Sequence, residues 1–345
     1  MAAEYRHNHY VPVWYQKRFI PQGQVDQELF YLDLKPEPFV DPRGKSHPRT
    51  SPRRLGFRRC FAENDLYTSR IGGIESAEIE RRFFGAIDRD GRKAIDSLAN
   101  FAHPWNGDFF FQEAMLYMST QKLRTPKGLA WLASQLRTNH RETVLDAMLR
   151  YQQLYSTIWA ESVWQIADAS QSNTKFIVSD HPVTVYNRRC GPRSFWCRDD
   201  RDPDIRCHGT HTIFPLSLET ILILTNLSWV RNPYQSEIKL RPNPTFYHET
   251  VLNILDIQTL RHLNEREVQE INFIIKSRAR RYIGAGKKEW LYPDQYVSKS
   301  DWHDYGNGYL LMPDPRSVRY GGEMIAQFKD GSRYQIFHSL RRQDP

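Results

Sequence analysis

Residues 212–224 read Thr-Ile-Phe-Pro-Leu-Ser-Leu-Glu-Thr-Ile-Leu-Ile-Leu. Two near-continuous apolar runs, Thr212–Leu216 and Thr220–Leu224, sit on either side of a short link. Neither alternates, so the pair predicts two strands covered on both faces. Upstream, Lys175–Ser179 reads as a strand ending at Asp180-His181-Pro182, followed by Val183–Tyr186. Arg188–Arg206 is polar and carries Gly, Pro and acids, as a loop or insertion does. Before it lies the helical middle of the chain. Apolar residues at mixed 3 and 4 spacings predict a helix over 74–101, with a break at Asp90-Gly91, and another over 109–123. Thr125-Pro126 marks a fresh start, Thr as cap and Pro in the first turn, for helical sequence running to Ala169 with a break near 137–139.

Toward the N-terminus, Pro12 opens a short helix through Phe19, Glu28–Leu34 forms a strand, and 35–59, with five prolines, forms an extended mobile loop. After the apolar pair, 245–262 is expected to be helical. Asn264 with Glu267 makes a capping box for a helix to about Tyr282. Glu323–Phe328 and Arg333–Phe337 around Asp330-Gly331 signal a hairpin. The expectation is an α+β fold, its helical middle region packed with a small mixed β-sheet and a C-terminal β-hairpin. Residues 1–285 form one domain with loops at 35–59 and 187–211, and 286–345 a C-terminal extension.

The chain has 345 residues, 40% of them hydrophobic, enough for a core. It has no apolar run long enough to cross a bilayer, and its opening residues lack the apolar stretch of a signal peptide. Four cysteines do not make a disulfide scaffold, so a reducing cytoplasm is expected, without membrane attachment. The net charge is +8, carried by 35 Arg and 13 Lys against 40 acids. Arginine forks suit phosphate, and pairs such as Arg58-Arg59 lie beside aromatic residues, as on a polyanion-binding surface. The same count also arises from GC-rich codons and solvated faces. The sequence contains no G-x-x-x-x-G-K-[ST], G-x-G-x-x-G, H-E-x-x-H or G-x-S-x-G, which argues against P-loop motors, Rossmann oxidoreductases, zincins and α/β-hydrolases.

Several short motifs follow one another in order: His9-Tyr10-Val11-Pro12, Glu63-Asn64-Asp65-Leu66-Tyr67, Glu80, Gln121-Lys122-Leu123-Arg124-Thr125-Pro126, Phe176–Pro182, Phe214–Ser217, and Asn264 before a helix. In this order they resemble the bacterial domain-of-unknown-function family 4238 over roughly residues 7–285. The resemblance implies a shared fold and a set of positions; it implies no reaction. Where many members of that family have Asn, this chain has His181.

The residues suggest where chemistry could sit. His7 and His9 flank Asn8 on an extended chain, so both rings point one way. His9 is the candidate base or ligand, with packing under Tyr10 and Pro12 the alternative. Asp180 ends a buried strand, where a carboxylate can ligate a metal or act as base, or can cap the turn. Glu80 is the candidate third carboxylate. His9, Asp180 and Glu80 with water would make a Mg²⁺ or Mn²⁺ site. Gln121 and Arg124 share a helix face before a new helix start; they would hold a phosphate or brace the helix end. Arg58, Arg59 and His181 complete the candidate substrate contacts. Cys190, Cys197, Cys207, His208 and His211 lack the tight spacing of a zinc knuckle and read as ordinary thiols and imidazoles.

These residues predict first a metal-dependent phosphodiesterase acting on nucleic acid, in a bacterial defence or toxin setting, with His9, Asp180 and Glu80 catalytic. Two other readings are a non-enzymatic module binding nucleic acid or protein, and a sensor of a small anionic ligand gripped by His9, Gln121, Arg124 and Asp180.

Overall fold

The 212–224 stretch lies inside a five-stranded mixed sheet. The computed structural model describes residues 7–335 apart from 48–50, 72–73, 77–82, 102–110, 161, 227–249, 254–256, 308, 311–322 and 328–332. The strand order is Thr184–Asn187, Thr210–Pro215, Thr220–Thr225, Val163–Asp168, Gln258–His262. Neighbours are antiparallel, with Ile213 opposite Ile223 and Leu222 opposite Ile166, except that Gln258–His262 runs parallel to Val163–Asp168. Every residue of Thr210–Pro215 is buried, as a strand covered on both faces requires.

The two faces have different covers. On one, Tyr15 of α1 (Val13–Gln16) stacks flat on Phe214 with ring centroids 5.4 Å apart, and its hydroxyl donates to the Pro215 carbonyl. Trp159 donates from Nε1 to Thr212 Oγ1 on the same side. On the other, Tyr186 lies between His211 and Trp302. A second sheet, antiparallel throughout, runs Val178–Ser179, Tyr282–Ala285, Glu28–Asp33, Arg53–Gly56.

The helices are α2 (Gly85–Ala99), α3 (Phe111–Arg124), α4 (Pro126–Leu136), α5 (Arg141–Arg150), α6 (Ser156–Ala160) and α7 (Glu265–Arg278). The expected starts are present. Thr125 caps α4 by accepting from Gly128 N at 3.1 Å, and Asn264 and Glu267 form the reciprocal capping box of α7. Arg137, in the left-handed region at φ 51°, ends α4 where the break was expected.

Four segments depart from expectation. Residues 74–76 pair as a strand with Ser69–Ile71 and are not helical. Gly91 does not break α2; a Cβ there would meet the Tyr117 ring at 2.6 Å, so the glycine permits close approach of α3. The helical sequence after Thr125 ends at Ala160, and Val163–Asp168 is the strand between Thr220–Thr225 and the parallel edge strand Gln258–His262. Periodicity alone does not distinguish a strand buried on both faces from a buried helix. In the stretch expected to be helical over 245–262, Thr250–Asn253 and Gln258–His262 are strands.

The 35–59 segment is also more regular than its prolines suggest: Phe39–Val40 pairs with Ser46–His47, and Arg53–Gly56 edges the second sheet. Residues 286–307 and 309–310 pack on the main core, contributing buried Trp290, Leu291, Trp302, Tyr305 and Tyr309. Arg333–Gln335 pairs antiparallel with Glu323–Gln327 as the tail sequence signals, and Thr250–Asn253 joins them as a third strand. No helix among the described residues is long and apolar enough to cross a membrane.

The junction of α3 and α4 has no spare volume. A Cβ on Gly128 would overlap the backbone carbonyl oxygens of Lys122 and Leu123, which cannot yield as a side chain can. Gly128→Ala is therefore expected to lower unfolding free energy by about 3 kcal/mol, at the upper end for overpacking. Urea titration checks this; a change below ~0.5 kcal/mol would mean that the junction has room.

Candidate functional site

The α3–α4 junction brings two lysines five residues apart to one place. Lys122 closes the last turn of α3, Lys127 opens α4, and both are buried although lysine is rarely found inside. A single carboxylate accounts for them. Asp202 Oδ2 accepts from Lys122 Nζ at 2.6 Å and Oδ1 from Lys127 Nζ at 2.6 Å. Each ammonium also binds a backbone carbonyl, Lys122 that of Val183 at 3.1 Å and Lys127 that of Arg278 at 2.7 Å. Burial opposes the Asp202 charge, but the two ammonium groups outweigh it and hold this carboxyl well below the usual range. Burial pushes Lys122 the other way, below the ordinary lysine value, with Asp202 resisting.

His181 completes the cluster. Its Nε2 lies 3.1 Å from both Asp202 Oδ2 and Lys122 Nζ, and its Nδ1 lies 2.7 Å from Thr125 Oγ1. Burial, reinforced by Lys122, lowers its pKa to about 3, so the ring is neutral near pH 7. With the proton on Nε2 the ring donates to Asp202 and Nδ1 accepts from Thr125, which leaves one Lys122 hydrogen without an acceptor among these groups. With the proton on Nδ1 the ring donates to Thr125, whose hydroxyl donates to the Lys122 carbonyl, and Nε2 accepts from Lys122. The chain Thr125–His181–Asp202 has the connectivity of a nucleophile–base–acid relay, but Thr125 is fully buried and caps α4. It fixes the imidazole and does not face a substrate.

These groups line a cavity of about 730 Å³ between α3, α4, α6 and residues 181–206. Its walls are apolar and aromatic, including Trp131, Tyr155, Ile158 and Trp196. Its polar lining has five cations, Lys122, Lys127, Arg201, Arg206 and Arg280, and two carboxylates, Asp202 and Asp204. Asp204 is paired with Arg206 at 2.7 Å.

Of the residues singled out from sequence, His181 is the one that lines this cavity. Asp180 is adjacent but turned away, its carboxylate accepting from three successive amides: Arg280 N at 2.9 Å, Arg281 N at 2.6 Å and Tyr282 N at 2.9 Å. The carboxylate thus binds the backbone of residues 280–282, a hundred residues on, and these bonds are not to the amides of its own turn. Gln121 and Arg124 are likewise a brace. Arg124 is 1% exposed, donates from Nε to Gln121 Oε1 at 2.8 Å, pairs with Asp88 at 2.9 Å and lies over the rings of Phe84 and Tyr117. Gln121 in turn donates to the Tyr10 carbonyl.

His9 is half-buried, its Nε2 has no hydrogen-bond partner among the described residues, and burial followed by the His7 charge lowers its pKa. The charges that act on His9 include those of His7 and Arg58, and the Asp180 charge acts on Tyr10, the next residue. His7 spans from Asn64 to the Arg58 carbonyl. Arg58 and Arg59 are exposed on a short 3-10 turn, and Glu80 lies outside the described residues. Among the described residues no three His, Cys, Asp or Glu side chains are grouped to hold a metal ion. Sequence reading missed Lys122, Lys127, Asp202 and Arg280. Lys122 lies in the motif between Gln121 and Arg124, whose shared helix face is the stronger local signal; Asp202 sits in a charge run of the kind that usually faces solvent.

Two buried neutral histidines set a pH dependence. His181 and His211 are both held near 3, His211 mainly by burial, while an unfolded histidine titrates near 6.5. Below pH 6.5 the unfolded chain therefore takes up protons that the folded one refuses, and stability falls with pH. Each histidine is expected to cost roughly 1 kcal/mol per pH unit between about 6.5 and 5. His181→Asn should remove about one proton from the slope of unfolding free energy against pH, measured by denaturant titration. An unchanged slope would mean that His181 is not held neutral.

No curated protein and no solved structure matches the chain. A family model does, over residues 7–289, and this span contains every residue of the lysine–aspartate–histidine cluster. With that coverage the chain belongs to the family described as protein of unknown function, DUF4238.

Proposed function

We propose that this protein binds a small anionic molecule with a flat apolar body in the cavity between α3, α4 and residues 181–206. The observation that carries this reading is the buried pair of lysines sharing one carboxylate at the base of an aromatic-walled space. Two ammonium groups against one carboxylate leave a positive charge in a place where burying it is costly. A ligand carboxylate or phosphate would neutralise that charge, with Arg280 and Arg201 at the same wall to add forked donors. Trp131 and Tyr155 offer ring faces for the rest of the molecule. The volume suits a ligand of nucleotide or aromatic-acid size and excludes a duplex.

The metal-dependent phosphodiesterase reading draws less support, because its central carboxylate, Asp180, would have to release three amides before it could ligate an ion.

Thermal shift and calorimetry on the full chain test the proposal, using phosphate, mono- and dinucleotides and aromatic carboxylates as probes. Labelled DNA and RNA with Mg²⁺, Mn²⁺ or EDTA run alongside. At least one small anion is expected to stabilise the protein, by about 2.7 kcal/mol at a hundredfold excess over Kd. Lys127→Met is expected to weaken that binding tenfold or more, with its fold checked by circular dichroism. No stabilisation by any anion would overturn the reading. Metal-dependent cleavage lost in Asp180→Ala would replace it with the phosphodiesterase.

A further inference from the structure

The cavity between α3, α4, α6 and residues 181–206 has an inner and an outer end. At the inner end His181, Lys122 and Lys127 are 2%, 6% and 8% exposed. At the outer end Leu154 and Trp196, which line the same cavity, are 41% and 52% exposed. An aromatic wall connects the two. The Lys122 ammonium lies 5.8 Å from the centre of the Tyr155 ring, and the Trp131 ring is 6.1 Å from that of Tyr155. Leu154 directly precedes Tyr155 in the chain.

A single exposed apolar side chain is ordinary on a protein surface and needs no ligand. These two have apolar company. Phe195, 71% exposed, meets Trp196 edge-on with ring centroids 5.9 Å apart, on the 3-10 turn Phe195–Asp200. Tyr151, also exposed, accepts from Leu154 N at its carbonyl, in the turn between α5 and α6. Arg201 and Arg206 share the outer end, where water solvates their charges, and Arg206 is paired with Asp204. Apolar surface that runs from a cavity onto the exterior, rimmed by polar groups, has the form of a ligand groove.

We propose that the ligand of this cavity is an amphiphile, with its anionic head against Lys122 and Lys127 and an alkyl tail passing Leu154 and Trp196 toward the exterior. The proposal rests on the reading of the cavity as an anion site and adds the chemistry of the ligand's far end. A compact polar anion would satisfy the lysines and leave the leucine and the indole in water. A tail covers them, and each methylene that leaves water there raises affinity roughly twofold when half covered and fourfold when fully covered. The opposite orientation would place the anion beside Arg206, which Asp204 already holds, and the tail against two buried ammonium groups.

Calorimetry on the full chain tests this with benzoate and the para-alkylbenzoates from methyl to hexyl, each below its aggregation concentration. The matching neutral benzamides and vesicles of anionic phospholipid run alongside. Dissociation constants are expected to fall roughly two- to fourfold per added carbon. The benzamides are expected to bind about tenfold more weakly, having no charge to offer the lysines. Leu154→Ser combined with Trp196→Ser is expected to flatten the dependence on chain length; the wild-type slope stands even if this variant fails to fold. Benzoates that bind with no gain along the series would overturn the tail and leave the anion site in place. A series in which no member binds would overturn it too, and the anion site falls with it only if phosphate and the nucleotides also fail. Benzamides that bind equally well, or binding to vesicles without a slope in the soluble series, would replace the amphiphile with bare apolar contact or a membrane surface.

Discussion

Asp202 is held out of bulk water with a lysine on each oxygen, and much of the molecule is arranged around that ion triad. Burying three charges is costly, and mutual attraction offsets the cost only with good geometry and further hydrogen bonds. Here each ammonium adds a bond to a backbone carbonyl, that of Val183, just before the edge strand of the large sheet, or that of Arg278, at the end of α7. The triad therefore joins the α3–α4 junction, the 181–184 turn, the 202 segment and α7. Losing Asp202 would leave two buried ammonium groups uncompensated, a larger penalty than a pair of this kind contributes by being present.

Arginine, the residue that dominates the charge count, is used here partly as a structural brace. Arg124 spreads across Gln121, Asp88 and two aromatic rings, Arg278 lies over Trp302, and neither is available to a polyanion. An excess of arginine in a composition thus says less about nucleic acid than its place in the fold does. Guanidinium groups tolerate burial because they are weakly hydrated and stack on rings. Lysine does so less readily, which makes the two buried lysines the more informative pair.

What was legible in the sequence follows from which interactions are local. The Thr125 cap, the Asn264–Glu267 box and the apolar run at 220–224 were readable because their partners lie within a few residues. Val163–Asp168 was not, since a strand buried on both faces has no alternation to display. Asp180 was correctly placed at a strand end, but which of its two roles it plays depends on amides a hundred residues away. The cavity was legible only through His181. Lys122 and Asp202 are 80 residues apart, and a lysine on a helix beside a run of mixed charge is the ordinary appearance of a solvated surface until the fold joins them.

The parallel pairing of Gln258–His262 with Val163–Asp168 also bears on synthesis of the chain. Val163–Asp168 leaves the ribosome long before its parallel neighbour exists, and for the intervening stretch that side of it carries unpaired amides and carbonyls. The rest of the sheet is a meander of antiparallel neighbours that can pair as they emerge. The nascent protein thus passes through a state with a hydrophobic open edge, which closes when residue 262 appears and α7 follows directly behind it.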